Sequence, residues 1–260
     1  MKVLSAATVL TLSTLSLAAP ASEKREISTE VHTTPPQFLI EETSASTADV
    51  PEYHSQLTTN WAGAVINKGG YTQATGKFKV PAAQMPPGGD PNTNYCASMW
   101  VGIQSDCNSL LQAGVDACIK NGENTYRAWY EWFPKGSVAY EGLEVKEGDE
   151  IEVWIETTSD TDGTTTLNNL SSKKVMTQSF TGEAPLCNRS AEWIVEDFMS
   201  GGSVPFSNFG TVEFTDAYAD QNGQTVTTDG GFLMDIKQSD KQLTQSTNSG
   251  QYVTVQYIAA

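Results

Sequence analysis

The chemistry open to this chain is bounded first by a missing residue type. Its only histidines are His32 and His54, and from residue 57 to the end there is none. Serine and cysteine hydrolases of the triad type need an imidazole base beside the nucleophile, so no such site can be assembled from that part of the chain. Histidine-bound zinc is excluded there on the same ground. The strings nearest to the paired D-T/S-G loops of pepsin-like enzymes, Thr161-Asp162-Gly163 and Thr228-Asp229-Gly230, have the wrong order and read as turns. Proton transfer therefore falls to carboxylates, helped by amides, hydroxyls or arginines.

Two segments place such groups where an apolar strand is expected. Between Leu110 and Asp116, strand alternation puts Gln112, Gly114 and Asp116 on one face and Leu111, Ala113 and Val115 on the other. Between Ala191 and Asp197, Glu192, Ile194 and Glu196 share a face opposite Trp193 and Val195. Alternation alone leaves two alternatives open for each polar face: a working site, or a face that meets solvent.

The elements that must hold these residues are strands. From about Thr58 onward, short runs of period-two alternation recur between turns rich in Gly, Asn, Asp and Pro. Ile151, Val153 and Ile155 alternate with Glu150, Glu152, Trp154 and Glu156, and the run from Tyr252 to Ile258 behaves likewise. Further strands are expected at 61–66, 71–80, 99–103, 110–115, 126–133, 164–170, 191–198, 212–217 and 232–236, with a surface loop from Pro81 to Asn94. Long helical periodicity is missing. This pattern predicts one all-β domain over residues 57–260, an antiparallel sandwich or barrel with a single core.

What precedes that domain reads as processing sequence. Lys2, the apolar run from Val3 to Leu17 and the small residues Ala18, Ala19 and Ala21 form a signal peptide over residues 1–21. The run is too short to span a membrane, and no later stretch is longer, so a secreted, extracellular protein with no membrane partner is expected. Residues 22–56, rich in Ser, Thr, Glu and Pro, read as a largely disordered propeptide with a dibasic Lys24-Arg25 pair. Four cysteines, Cys96, Cys107, Cys118 and Cys187, read outside the cytosol as two disulfides; paired C-x-x-C spacing and nearby histidines are lacking, so no metal is expected. The formal charge of -16, from 31 acidic against 15 basic residues, excludes nucleic acid as a natural partner. It fits either plain solubility or tolerance of acid, where many carboxylates become neutral. Asn169-Leu-Ser171 and Asn188-Arg-Ser190 are glycosylation sequons if they lie on surface loops.

The same segments resemble the eqolisins, the glutamic peptidases. The likeness is carried by Asn60-Trp-Ala-Gly-Ala-Val65, Tyr95-Cys-Ala-Ser-Met-Trp-Val-Gly-Ile103, Leu111-Gln-Ala-Gly-Val-Asp116, Ala128-Trp-Tyr-Glu-Trp132 and Ala191-Glu-Trp-Ile-Val-Glu-Asp-Phe198, in that order. It implies a lectin-like jelly-roll sandwich of two large antiparallel sheets, a site on a concave face, and acid-pH hydrolysis of polypeptide substrates by a monomer without cofactor. By resemblance, the catalytic glutamine falls on Gln112 and the catalytic glutamate on Glu196, with Glu192, on the same strand face, as runner-up. The resemblance also pairs Cys96 with Cys118 and Cys107 with Cys187. Trp61, Trp100, Trp129 and Trp132 are candidates to line a substrate groove, and Asp116 and Glu131 join Trp100 as candidate substrate contacts. The chain departs from the family at Gln104, where an aspartate is usual, although Asp106 is close by. Residues 80–96 hold no Lys or Arg, so a single chain is expected rather than two. Two rival readings are a glycosidase using Glu131 with Glu192 or Glu196, and a non-catalytic carbohydrate-binding module.

Overall fold

The structure is a computed structural model that describes residues 31–32, 35–39, 55–105, 107–187 and 189–259. The expected signal peptide, most of the expected propeptide with its Lys24-Arg25 pair, Asp106 and Asn188 lie outside the described residues. Among the described residues every regular element is a strand, as the alternation predicts, and two large sheets pack face to face, as the family resemblance implies.

The first sheet runs, in spatial order, Lys241–Gln242, Phe232–Gln238, Trp61–Ile66, Ser190–Glu196, Tyr95–Ser105, Ser109–Lys120, Glu123–Phe133 and Val138–Ala139. Gln56–Thr58 adds to Phe232–Gln238 in parallel. The second sheet runs Lys174–Phe180, Gly163–Asn169, Glu150–Thr157, Tyr71–Lys79, Thr211–Gln221, Tyr252–Tyr257 and Thr244–Ser249, with Gln224–Thr227 paired to Thr211–Gln221. The remaining pairings within both sheets are antiparallel.

The core between the sheets takes one of every two residues along each strand. Ala62, Val101, Ala113, Trp193 and Val195 from the first sheet meet Phe78, Ile151, Val153, Phe214 and Val255 from the second. Trp193 spans the layers: its indole N–H donates to Thr75 O at 2.8 Å, and Gly76 leaves the space its ring needs, because a Cβ there would come within 3.0 Å of it. Trp132 also belongs to this core and donates to Ala184 O, so the expectation that it lines a groove fails; it sits on the opposite strand face from Trp129 and Glu131.

The expected strands are present and several are longer than expected. Alternation missed Lys174–Phe180, Gln224–Thr227 and Thr244–Ser249, which are short and mostly polar; Met176, Phe180 and Val226 of the first two are only partly buried against the core. In the run Thr-Gln-Ser-Thr-Asn-Ser, Thr244 and Ser246 are the buried positions. Their hydroxyls donate to Asp235 Oδ1 at 3.1 and 2.9 Å, so hydrogen bonds replace hydrophobic contact.

Cys96–Cys118 joins neighbouring strands of the first sheet, and Cys107–Cys187 ties the turn before Ser109–Lys120 to the segment entering Ser190–Glu196. Part of the expected propeptide is regular rather than structureless. Val31–His32 pairs with Met199–Ser200, and Pro35 to Leu39 runs along Leu57 to Asn60, with Leu39 N donating to Leu57 O and Thr59 N to Gln37 O. Asn169 is no surface sequon. Its side chain is fully buried, donates to Asp149 Oδ2 at 2.8 Å and accepts from Ser172 N, which leaves the amide nothing to offer a glycan.

Candidate active site

The candidate residues lie on the face of the first sheet that points away from the sandwich core, and cross-strand register arranges them in rows. One row holds Trp61, Glu196, Ser98, Asp116 and Arg127. The next, two residues along, holds Gly63, Ile194, Trp100, Gly114 and Trp129. The third holds Val65, Glu192, Gly102, Gln112 and Glu131.

The middle row is an apolar bar between two polar rows. Trp100 lies over Gly114, where a Cβ would come within 2.2 Å of Met99 O and 2.6 Å of Trp100 Cβ, so only glycine admits the ring at that spacing. Trp61 packs edge-on against Trp100 with centroids 4.7 Å apart, and Trp129, Ile194, Met234, Val65 and Leu110 complete a second apolar cluster. Three of the four tryptophans expected at a groove are thus gathered here, each buried.

Glu196 is fully buried and accepts a hydrogen bond from Trp100 Nε1 at 2.9 Å. Trp100 stands on the diagonal between Glu196 and Gln112 in the sheet register. Gln112, also fully buried, donates from Nε2 to Glu131 Oε2 at 2.6 Å. By strand spacing, Gln112 and Glu196 stand two strands apart, about 10 Å, and four residues along, about 13 Å.

Glu192 shares the row of Gln112 across Gly102, yet its setting differs. It is fully buried, Ser190 Oγ donates to one carboxylate oxygen at 3.1 Å, and the other oxygen has no partner. Leu110 and the edge of Trp100 come within 3.0 Å of where a Cβ would stand on Gly102, and Gln112 Cβ within 3.3 Å, so the space over Gly102 is filled. Burial pushes the Glu192 carboxyl up to about 8, only partly opposed by the Ser190 hydroxyl. At acid and neutral pH it carries its proton.

Asp116 belongs to the Glu196 row and accepts from Ser98 Oγ at 2.7 Å and from Arg127 at 3.3 Å. Burial raises its carboxyl, and the Arg127 charge and the Ser98 hydroxyl pull it back. Asp197, next to Glu196, is held by Gln238 Nε2 at 2.6 Å and is pushed up to about 7 by burial. Gln104 pairs with Ser190 and Leu110, one row beyond Glu192.

Sequence reasoning missed Arg127, Ser98 and the Gln112–Glu131 contact. The first was readable, because alternation through Trp129 and Glu131 continues to Arg127. The contact was readable too: Asn121-Gly122 is the strongest two-residue hairpin signal, both residues have positive φ, and a turn centred there sets Gln112 opposite Glu131. Among the described residues no cluster suits a metal ion.

Comparison with known proteins places the chain in a family. Residues 59–257 match the family described as Peptidase A4. The chain is 38% identical to aspergillopepsin-2 of Aspergillus niger, over 96% of this chain and 99% of that protein. It is 34% identical to scytalidopepsin B of Scytalidium lignicola, over 78% and 79%. Among solved structures, scytalido-glutamic peptidase with a transition state analog inhibitor superposes with a TM-score of 0.70 at 34% identity, covering 77% of this chain and 98% of that one.

Proposed function

The chain belongs to the Peptidase A4 family, the eqolisins, and is a glutamic-type peptide hydrolase; from that premise we propose that it is a secreted, monomeric acid endopeptidase in which Glu196 is the base and Gln112 the oxyanion donor. The observation that carries this reading is that Glu196 is buried on the same sheet face as Gln112 and accepts a hydrogen bond from the Trp100 N–H at 2.9 Å.

Amide hydrolysis needs an activated water, a stabilised oxyanion and a protonated leaving nitrogen. Glu196 takes a proton from water as its oxygen attacks the scissile carbonyl carbon. Gln112 has two amide N–H groups; one is committed to Glu131, which fixes the plane of the amide, and the other meets the developing oxyanion. As the tetrahedral carbon collapses, the C–N bond breaks, Glu196 returns its proton to the amine, and a carboxylic acid and an amine leave. A base that works in acid must be ionised there. Glu192, proton-bearing up to about pH 8, does not meet that requirement, and this supports Glu196 over its neighbour on the strand.

The test is digestion of denatured casein at acid pH with pepstatin present, alongside an assay for reducing sugar on polysaccharide. Peptide release by the wild type and its loss in Glu196→Gln are expected. Sugar release without peptide release would return the glycosidase reading.

A further inference from the structure

A cavity of about 330 Å³ opens at the end of the Glu196 row, lined among others by Asn94, Asp116, Thr125, Arg127, Phe198 and Ser200. Arg127 stands in its wall with two of its three nitrogens engaged. Nη1 is shared between Asp116 and Ser137 Oγ at 3.0 Å, and Nη2 donates to Ser137 O at 2.9 Å. Nε is buried and has no acceptor. A guanidinium held rigidly by two edges, with its third donor unmatched, is suited to one further oxygen acceptor, and a charged one gains most.

The position of this cavity relative to the base follows from register. Glu196, Ser98, Asp116 and Arg127 are consecutive neighbours across four strands, so at about 4.8 Å per strand Asp116 stands about 10 Å and Arg127 about 14 Å from Glu196. An extended peptide covers that distance in roughly three to four residues. Extended backbone also fits beside the cavity, because Val31–His32 pairs with Met199–Ser200, and Ser200 lines it.

Resting on Glu196 as the base, we propose that this cavity is a substrate subsite for a carboxylate, the side chain of a glutamate or aspartate three or four residues from the scissile bond. On a chain of net charge -16 the surface as a whole repels acidic peptides, so a held cation is the means of accepting one. Asp116 is the group that competes for Arg127, and burial, which raises its carboxyl, weakens that competition as the pH falls.

The experiment uses amidated peptide pairs that differ only by Glu or Gln at one position, scanned from two to five residues on each side of the cleavage point, at about pH 5, where a free glutamate is ionised. Affinity is read on Glu196→Gln protein, which reports binding without needing turnover, and cleavage is read on wild type. At one position three or four residues out, the Glu peptide is expected to bind roughly tenfold tighter than its Gln partner. Arg127→Met should bring the Glu peptide down to the level of the Gln peptide, and Asp116→Asn, which removes the internal competitor and keeps the shape, should widen the gap. Equal affinities at every position, or a preference untouched by both substitutions, overturn the subsite. Cleavage by wild type answers the separate question of the peptidase reading, whichever way the affinities fall.

Discussion

Glu192 and Glu196 differ by four residues on one strand and face the same way, yet the sheet gives them opposite chemistry. Glu196 lies in a row of hydrogen-bonding groups, with Ser98, Asp116 and Arg127 beyond it and the Trp100 N–H on its carboxylate. Glu192 lies beside Val65 and Gly102, beneath Leu110 and Trp100, with one oxygen unmatched. In the second setting the charged form loses its hydration for a single hydroxyl hydrogen bond from Ser190, and burial keeps the proton on the group. Residue type and strand position therefore do not determine a role; the neighbours on the two adjacent strands do.

The largest effect expected from this contrast is on turnover. Glu196→Gln keeps size and hydrogen-bonding capacity but removes the base, and activity on a peptide substrate should fall by at least about 10³-fold. Glu192→Gln removes a group that is already neutral at the working pH, so activity should stay within about threefold of wild type. The measurement is kcat/KM at acid pH for both variants. Inactive Glu192→Gln with active Glu196→Gln would reverse the assignment and move the base into the Gln112 row.

The second comparison sets Gln112 against the residue that holds it. Gln112→Ala loses the oxyanion donor, and a fall of roughly 10² to 10³ in kcat is expected, with KM little changed. Glu131→Gln leaves a side chain that still accepts a hydrogen bond but loses the charge, and a fall of about tenfold is expected. On the reading that Glu131 acts by holding Gln112, adding Glu131→Gln to Gln112→Ala should cost almost nothing further. If the two effects multiply instead, Glu131 has its own contact with substrate.

How much of this was legible in the sequence depends on how far each contact reaches along the chain. The all-β class, the Gln112 face and the Glu192–Glu196 face followed from alternation, which is local, while the choice of sandwich over barrel came from the family resemblance. The Gln112–Glu131 pair was within reach, because Asn121-Gly122 sets that hairpin's register. The placing of Glu196 beside Ser98 and Trp100 was not, because it joins strands about ninety residues apart and no turn encodes it. The same holds for Thr244–Ser249, where the burial of two hydroxyls makes sense only once Asp235 is known to lie beneath them. Trp132 was misplaced for the opposite reason: tryptophan suits a groove and a core equally, and its parity with Trp129 was the available clue.

The smallest effect concerns stability, and its sign follows from the buried acids. The Glu192 carboxyl is raised from 4.5 to about 8 by folding, so the folded chain binds that proton more tightly than the unfolded chain. Its stabilising contribution is complete below about pH 4.5, is lost progressively as pH rises from there through 8, and is flat beyond. Asp197, raised from 3.8 to about 7, adds a loss of the same sign over a lower window. At neutral pH the Glu192 share is on the order of 3 kcal/mol. Glu192→Gln abolishes that titration without changing volume, so the full chain and its variant should unfold at similar temperatures near pH 4, while near pH 7 the variant should unfold several degrees higher. Some decline with pH should persist in the variant because Asp197 still titrates. Thermal unfolding of both proteins followed across that range checks the account; parallel curves for the two would mean that Glu192 is hydrated in solution and that its row is not the closed, apolar counterpart of the Glu196 row.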